Sequence, residues 1–170
     1  MTQTLLDQAL VEEATKKSGL IWVRGTGGSA ERALWHAWLD GAAYVVGGGP
    51  GEQPLDGLAD GGTATVTVRS KDKGGRLVAW TASVSEIPAG SEAWNTAVAE
   101  LKGKRLNAHD GEAMPARWAA ECRLVRLEPL GSLEAAPDSS LAAAPVPTSA
   151  TTRHPVPAAL PRLLLKRKRR

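Results

Sequence analysis

ALWHAWLDGAAYVVGGGPGEQPLDGL, residues 33–58, is the stretch whose division decides the fold. Two apolar runs, residues 32–39 and 42–46, flank Asp40-Gly41. An Asp-Gly pair between apolar runs predicts a two-residue hairpin, because both central positions of the favoured turn need positive φ. The loop that follows, Gly47-Gly48-Gly49-Pro50-Gly51-Glu52-Gln53-Pro54, carries little side chain to pack. Such backbone serves a tight bend or a close approach to a ligand. The reading is strand, turn, strand and glycine loop, and the loop is the first candidate for function.

Outward from the hairpin, the chain alternates short apolar runs with turn signals. Upstream, Thr4-Leu5-Leu6-Asp7 approximates a capping box and opens a helix. Leu6, Leu10 and Ala14 fall on one face of it, and Ser18-Gly19 closes it. Residues 20–24 form a short strand, and Gly25-Thr26-Gly27-Gly28 a turn. Downstream, residues 54–60 predict a short helix closed by Gly61-Gly62. Residues 63–69 are the plainest strand, with Ala64, Val66 and Val68 alternating with polar neighbours. A polar turn at residues 71–75 leads to a strand over 76–85, whose Val78, Trp80, Ala82 and Val84 share a face. Pro88-Ala89-Gly90 breaks it, Ser91 caps a helix over 92–102, and Gly103 ends that helix. Residues 119–128 read as a last strand through Cys122, Leu124 and Leu127. Short strands between turn signals predict an antiparallel barrel with helices at its rim.

The bulk properties confine this barrel to the first three quarters of the chain. All six tryptophans lie before residue 119, so the core belongs there. From Ser132 onward Ala, Pro, Ser and Thr dominate; that composition buries too little to offset ordering entropy, and the segment reads as disordered. The organisation is therefore a domain over residues 1–131 and a tail over 132–170. The tail carries a net charge of +5 and the body −2, so the basic balance belongs to the tail. No specific nucleic-acid binding follows for the body. The terminal Leu163-Leu164-Leu165-Lys166-Arg167-Lys168-Arg169-Arg170 is a solvated basic end, or one weakly attracted to an anionic surface. Cys122 is the single cysteine, which fits a reducing cytoplasm; neither a secretory leader nor a membrane-length apolar run is expected. Abundant Ala, Gly and Arg suggest a GC-rich bacterial source.

Several chemistries are set aside. Gly25-Thr26-Gly27-Gly28-Ser29-Ala30 has the spacing of a dinucleotide fingerprint, but the next strand ends in Gly47-Gly48-Gly49 with no acid to bind ribose. The glycine loop ends in Gly51-Glu52-Gln53, without the Gly-Lys-Ser/Thr of a P-loop. His36, His109 and His154 have no metal-ligand spacing, and no Gly-x-Ser-x-Gly elbow occurs.

The element order is distinctive: leading helix, Asp-Gly hairpin, short helix, paired long strands, helix, final strand. It resembles the FMN-binding split barrel of the pyridoxamine 5'-phosphate oxidase-like and related flavin or deazaflavin oxidoreductases. The resemblance covers about residues 3–130. It implies a mainly β (α+β) fold, an antiparallel six-stranded split β-barrel with peripheral helices and the disordered tail. It also implies a homodimer with a flavin in the groove between two barrels, its phosphate held by basic and hydroxyl side chains. On this chain the flavin-contacting strand is residues 32–38 and the phosphate loop residues 47–53. The family's Arg-Lys pair and hydroxyl residue near that loop are replaced by Gly47-Gly48 and Glu52-Gln53, which removes the charge-assisted phosphate contacts. Backbone N–H groups of Gly47, Gly48, Gly49 and Gly51 offer an anion nest instead, and Arg69 and Lys71 supply charge.

Alternation places Leu34, His36 and Trp38 on one face of the first hairpin strand. If that face borders the groove, Trp38 stacks on the isoalloxazine and His36 donates to a ring oxygen or phosphate; otherwise both are ordinary barrel residues, with His36 bonded to backbone. Glu52 and Gln53 are either ligand-facing or solvent-facing. Lys104, Arg105 and Asn107 either reach the groove or complement the helix dipole. The expected cofactor is FMN, with a deazaflavin as the alternative, and the expected ligand is a small molecule. Two functions remain open: a flavin-dependent oxidoreductase, whose cofactor carries the chemistry, and a non-enzymatic dimeric barrel that has lost the phosphate site.

Overall fold

The computed structural model describes residues 2–72 and 75–133. The tail and its basic end lie outside the described residues, except that the last strand runs on to Leu133. Seven strands make one sheet: β1 (Leu20–Arg24), β2 (Arg32–Trp35), β3 (Ala37–Leu39), β4 (Ala42–Gly47), β5 (Thr63–Arg69), β6 (Arg76–Ile87) and β7 (Arg123–Leu133). The helices are α1 (Thr2–Lys17), α2 (Glu92–Lys104) and α3 (Met114–Glu121), the last preceded by a 3-10 turn at Gly111–Ala113. No helix among the described residues is long and apolar enough to cross a membrane.

The strands lie in the order β2-β1-β5-β6-β7-β4-β3, each pair antiparallel. The two edge strands, β2 and β3, are consecutive in sequence and separated by His36 alone. One residue cannot span a flat seven-stranded sheet, because neighbouring strands are about 4.8 Å apart. The sheet therefore curls until its edges meet at His36, which makes a barrel split along that seam.

This seam corrects the six-strand count, which took residues 32–39 as one strand. The Asp-Gly turn forms as expected: Asp40 and Gly41 have φ of 46° and 74°, and Ala37 through Leu39 pair with Tyr44 through Ala42. Beyond Ala37 the pairing stops, because the Gln53 amide sits between the strands. Its Oε1 accepts from Trp35 N–H at 2.9 Å, and its Nε2 donates to the Trp35 and Val46 carbonyls, each at 3.0 Å. Residues 32–35 pair with β1 instead.

Two apolar cores explain the sequence patterns. The first fills the barrel with Ile21, Val23, Leu34, Val45, Val66, Trp80 and Leu127 among others; the second lies between the sheet's other face and α2 and α3, with Tyr44, Val46, Trp94, Leu101, Met114 and Trp118. β4 serves both, so it is buried on both faces and its sequence shows no alternation.

Helix boundaries deviate in four places. Helix α1 already begins at Thr2, and its buried positions are Val11 and Thr15; Leu6 and Leu10 face solvent. The helix packs on β3, β6 and β7. Residues 54–60 form successive turns, Leu58 N–H to Leu55 C=O and Gly62 N–H to Ala59 C=O, not a helix. Ser91 caps α2 through Trp94 N–H at 3.1 Å, but the helix passes through Gly103 to Lys104. Residues 119–121 belong to α3, whose apolar anchors Met114 and Trp118 stand one turn apart.

Candidate ligand groove and the glycine loop

The seam at His36 places side chains beside two helix ends. Helix α1 ends at Lys17 and turns through Ser18-Gly19 into β1, while α2 ends at Lys104. Between them lies a groove of about 630 Å³, lined by Ser18, Gly19, Leu20, Trp35, His36, Gly103, Lys104, Arg105 and Leu106. Small-molecule sites commonly have volumes of about 300–1,000 Å³. Trp35 also packs on Trp118, ring centroids 6.1 Å apart, which anchors it to the second core.

His36 is 2% exposed. Its Nε2 lies 3.0 Å from the Thr15 carbonyl, which can only accept, so Nε2 carries the proton. Nδ1 is then a bare acceptor, buried and without a protein partner. Burial pushes the imidazole pKa down to about 4, and the Lys104 charge acts in the same direction against the Thr15 carbonyl. Near neutral pH the side chain is uncharged. Lys104 at the rim is exposed and has no ion-pair partner among the described residues.

Beside the groove, the glycine loop closes on the protein. Gly48 N–H donates to Gln53 C=O at 2.9 Å and Glu52 N–H to Gly49 C=O at 3.2 Å. A Cβ on Gly49 would meet Glu121 O and Cys122 Sγ, and one on Gly47 would strike the Gln53 backbone. The small residues thus permit close approach to neighbouring chain. Burial also raises the Cys122 thiol pKa, which keeps it protonated.

Glu52, with its side chain 1% exposed, is the centre of the loop's attachment. Its Oε1 accepts from Arg117 Nη2 at 3.0 Å and from the Trp118 indole at 3.1 Å; Oε2 accepts from Arg105 Nε at 3.1 Å. Arg105 also donates to Gly51 C=O, and Arg117 to Pro50 C=O and to Asp110. Hydrogen bonds donated to Asp110 and Glu52 hold the Arg117 pKa above its ordinary value, and the same Arg117 contact lowers that of Asp110.

The sequence-selected residues therefore fall in five places. His36 lies in the groove, and Lys104 and Arg105 join it there. Gly47, Gly48, Gly49, Gly51, Glu52 and Gln53 form the stapled loop, linked to the groove through Arg105. Trp38 lies elsewhere: it packs edge-on against Trp80, centroids 6.2 Å apart, on the barrel core. Arg69 and Lys71 line a separate recess with Lys17 and Leu77; Arg69 pairs with Glu31 at 2.9 Å and covers Trp22 at 4.9 Å. Asn107, with φ 55°, forms the turn after α2. Sequence reasoning missed Trp35, Arg117 and Trp118. The four-residue spacing of Met114 and Trp118 after Ala113, with Pro115 in the first turn, would have signalled α3.

No family model matches this chain, and no curated protein does. Solved structures do. The heme storage protein HutZ from Vibrio cholerae superposes with a TM-score of 0.55 at 14% identity, covering 74% of this chain and 92% of that one. A Listeria innocua protein named for pyridoxamine 5'-phosphate oxidase gives 0.52 at 9% identity, covering 75% and 95%. The fold is the split barrel. An FAD- and heme-binding protein from Mycobacterium smegmatis superposes more loosely, at 0.46 and 12% identity, over 89% of this chain and 92% of that one. In this split barrel the seam at His36 is where the sheet edges part, and the groove opens beside it.

The fit to a flavin divides at the phosphate. Trp35, Leu20 and Leu106 offer apolar and aromatic surface to a planar ring, and Lys104 offers a charge at the rim. The glycine loop does not fit a phosphate: the Gly48 and Glu52 amides are bonded within it, and its two arginines already hold a carboxylate.

Proposed function

We propose that this chain is a ligand-binding split barrel that takes the ring of a flavin-type cofactor in the groove floored by Trp35 and His36. One observation carries the reading: a groove of about 630 Å³ combines an aromatic and apolar lining with a buried, uncharged histidine. Trp35 fixes the ring plane by packing, and Lys104 interacts with negative charge at the rim. Thr15 holds His36 in one tautomer. FMN is the reference ligand and a deazaflavin the alternative. A bound flavin would supply hydride or electron transfer, and the chain's part is to orient the ring and exclude water.

The second reading, a non-enzymatic dimeric barrel, draws support from Glu52, which pairs with Arg105 and Arg117 beside the loop. In both readings a second copy completes the groove, since Leu20 and Leu106 at its rim are exposed at 49% and 76%. The test is an absorbance spectrum after incubation with excess FMN or riboflavin and gel filtration. A retained flavin band that weakens on Trp35→Ala supports the reading. A colourless protein with both flavins overturns it.

A further inference from the structure

The groove and the glycine loop share Arg105. This residue lines the groove, yet its Nε is 3.1 Å from Glu52 Oε2 and its Nη2 donates to Gly51 C=O at 3.2 Å. Arg117, from α3, completes the cradle on Glu52 Oε1 at 3.0 Å, and the Trp118 indole adds a third donor at 3.1 Å. Two guanidinium groups and an indole N–H converging on one point make a donor set that suits a phosphate or carboxylate. Here the chain's own carboxylate, 1% exposed, fills that point.

We propose that Glu52 is a built-in anion that occupies the arginine cradle beside the groove, so that this barrel selects flavin-type ligands by their ring and does not read a terminal phosphate. The inference rests on the reading of the groove as a flavin-ring site. A ligand phosphate reaching Arg105 must displace a buried carboxylate held by three donors. That exchange offers no net gain, because one charge-assisted contact replaces another and a carboxylate is left unpaired. Lys104 then remains as the groove's unpaired cation among the described residues, and an exposed lysine contributes little discrimination. Removing the charge but not the shape of Glu52 frees the cradle for a phosphate. The ordinary function of Glu52 as a staple for the glycine loop does not by itself predict such a gain.

The test uses the full chain and two readouts. Fluorescence titration of the wild type should give riboflavin and FMN dissociation constants within about twofold of one another. Glu52→Gln keeps an acceptor for Trp118 and should tighten FMN about tenfold relative to riboflavin, the scale of one charge-assisted hydrogen bond. Arg105→Gln should weaken both flavins alike. A wild type that favours FMN tenfold, or an Arg105→Gln protein that loses FMN selectively, overturns the proposal and leaves the groove reading intact. The second readout is the Trp118 indole N–H resonance, assigned by Trp118→Phe, during titration with inorganic phosphate. It should stay still in the wild type and move in Glu52→Gln; movement in the wild type, or none in a folded Glu52→Gln, overturns the proposal whether or not flavin binds. A wild type that takes neither flavin overturns the groove reading itself. If Glu52→Gln does not fold, the wild-type ratio and Arg105→Gln decide.

Discussion

His36 ties burial to pH. Its pKa falls from 6.5 to about 4 in the folded chain, so between those values the unfolded state binds more protons. Stability therefore rises with pH through this window. The contribution is complete above about pH 6.5 and is lost as pH falls toward 4. With the ring 2% exposed, the full effect is about 3 kcal/mol. Urea unfolding at pH 7 and pH 5 should show about 2 kcal/mol of this loss, and His36→Gln should flatten the difference. An unchanged slope in the variant would mean that other groups set it. The sequence singled out His36 as a candidate on alternation alone, but neither its tautomer nor its depressed pKa was legible there. The tautomer comes from the Thr15 carbonyl, 21 residues earlier, and the depressed pKa from burial, which outweighs that contact; the curl of the sheet produces both. Glu52 shows the same limit, since its partners Arg105 and Arg117 are 53 and 65 residues away.

At the scale of elements, the seam between β2 and β3 depends on one amide. Gln53 donates to two carbonyls and accepts from Trp35 N–H, replacing the ladder bonds that a continuous strand would make. Gln53→Glu keeps the acceptor and turns both donor contacts into oxygen–oxygen repulsion in a part-buried site. We expect a loss of about 3 kcal/mol, read as a lower urea midpoint with unchanged m-value. Gln53→Met, of similar shape, should cost less than Gln53→Glu if repulsion is the cause. The glycine loop makes a related point: Gly49→Ala should destabilise by about 1–3 kcal/mol, because its Cβ meets the Glu121 carbonyl and Cys122. Its sequence announced a tight bend or a close approach to a ligand, and the structure shows Gly47 and Gly49 close against protein backbone. Whether the approaching group was ligand or protein depended on α3, an element that sequence periodicity left unread.

At the scale of the molecule, several large apolar side chains stand exposed. Leu5, Leu6, Leu10 and Leu106 are half or more exposed and Leu20 nearly so, and Leu20 and Leu106 rim the groove. Exposed apolar groups of this kind mark association surfaces. The proposed second copy would cover Leu20 and Leu106 and complete the groove. Sedimentation of the wild type should then give twice the chain mass. Leu20→Asp with Leu106→Asp should give the single chain and lose retained flavin, while leaving the circular dichroism spectrum unchanged. A wild type that sediments as one chain and still retains flavin would separate the groove from any partner.

The sequence by itself determined what depends on neighbouring residues. The Asp40-Gly41 turn needs positive φ at both positions, Ser91 caps the helix that follows it, and the period of two in β5 and β6 places their apolar faces inward. Each follows from dihedral freedom, a nearby N–H or side-chain alternation, and each was readable locally. Only the tertiary structure decided where residues 32–39 divide, which way the glycine loop faces and what charge Arg105 meets. Those outcomes depend on groups brought together across the closed sheet, Gln53 against Trp35 and Glu52 against two arginines. A linear pattern cannot encode such contacts, because the curl of the barrel, and not spacing along the chain, sets their distance.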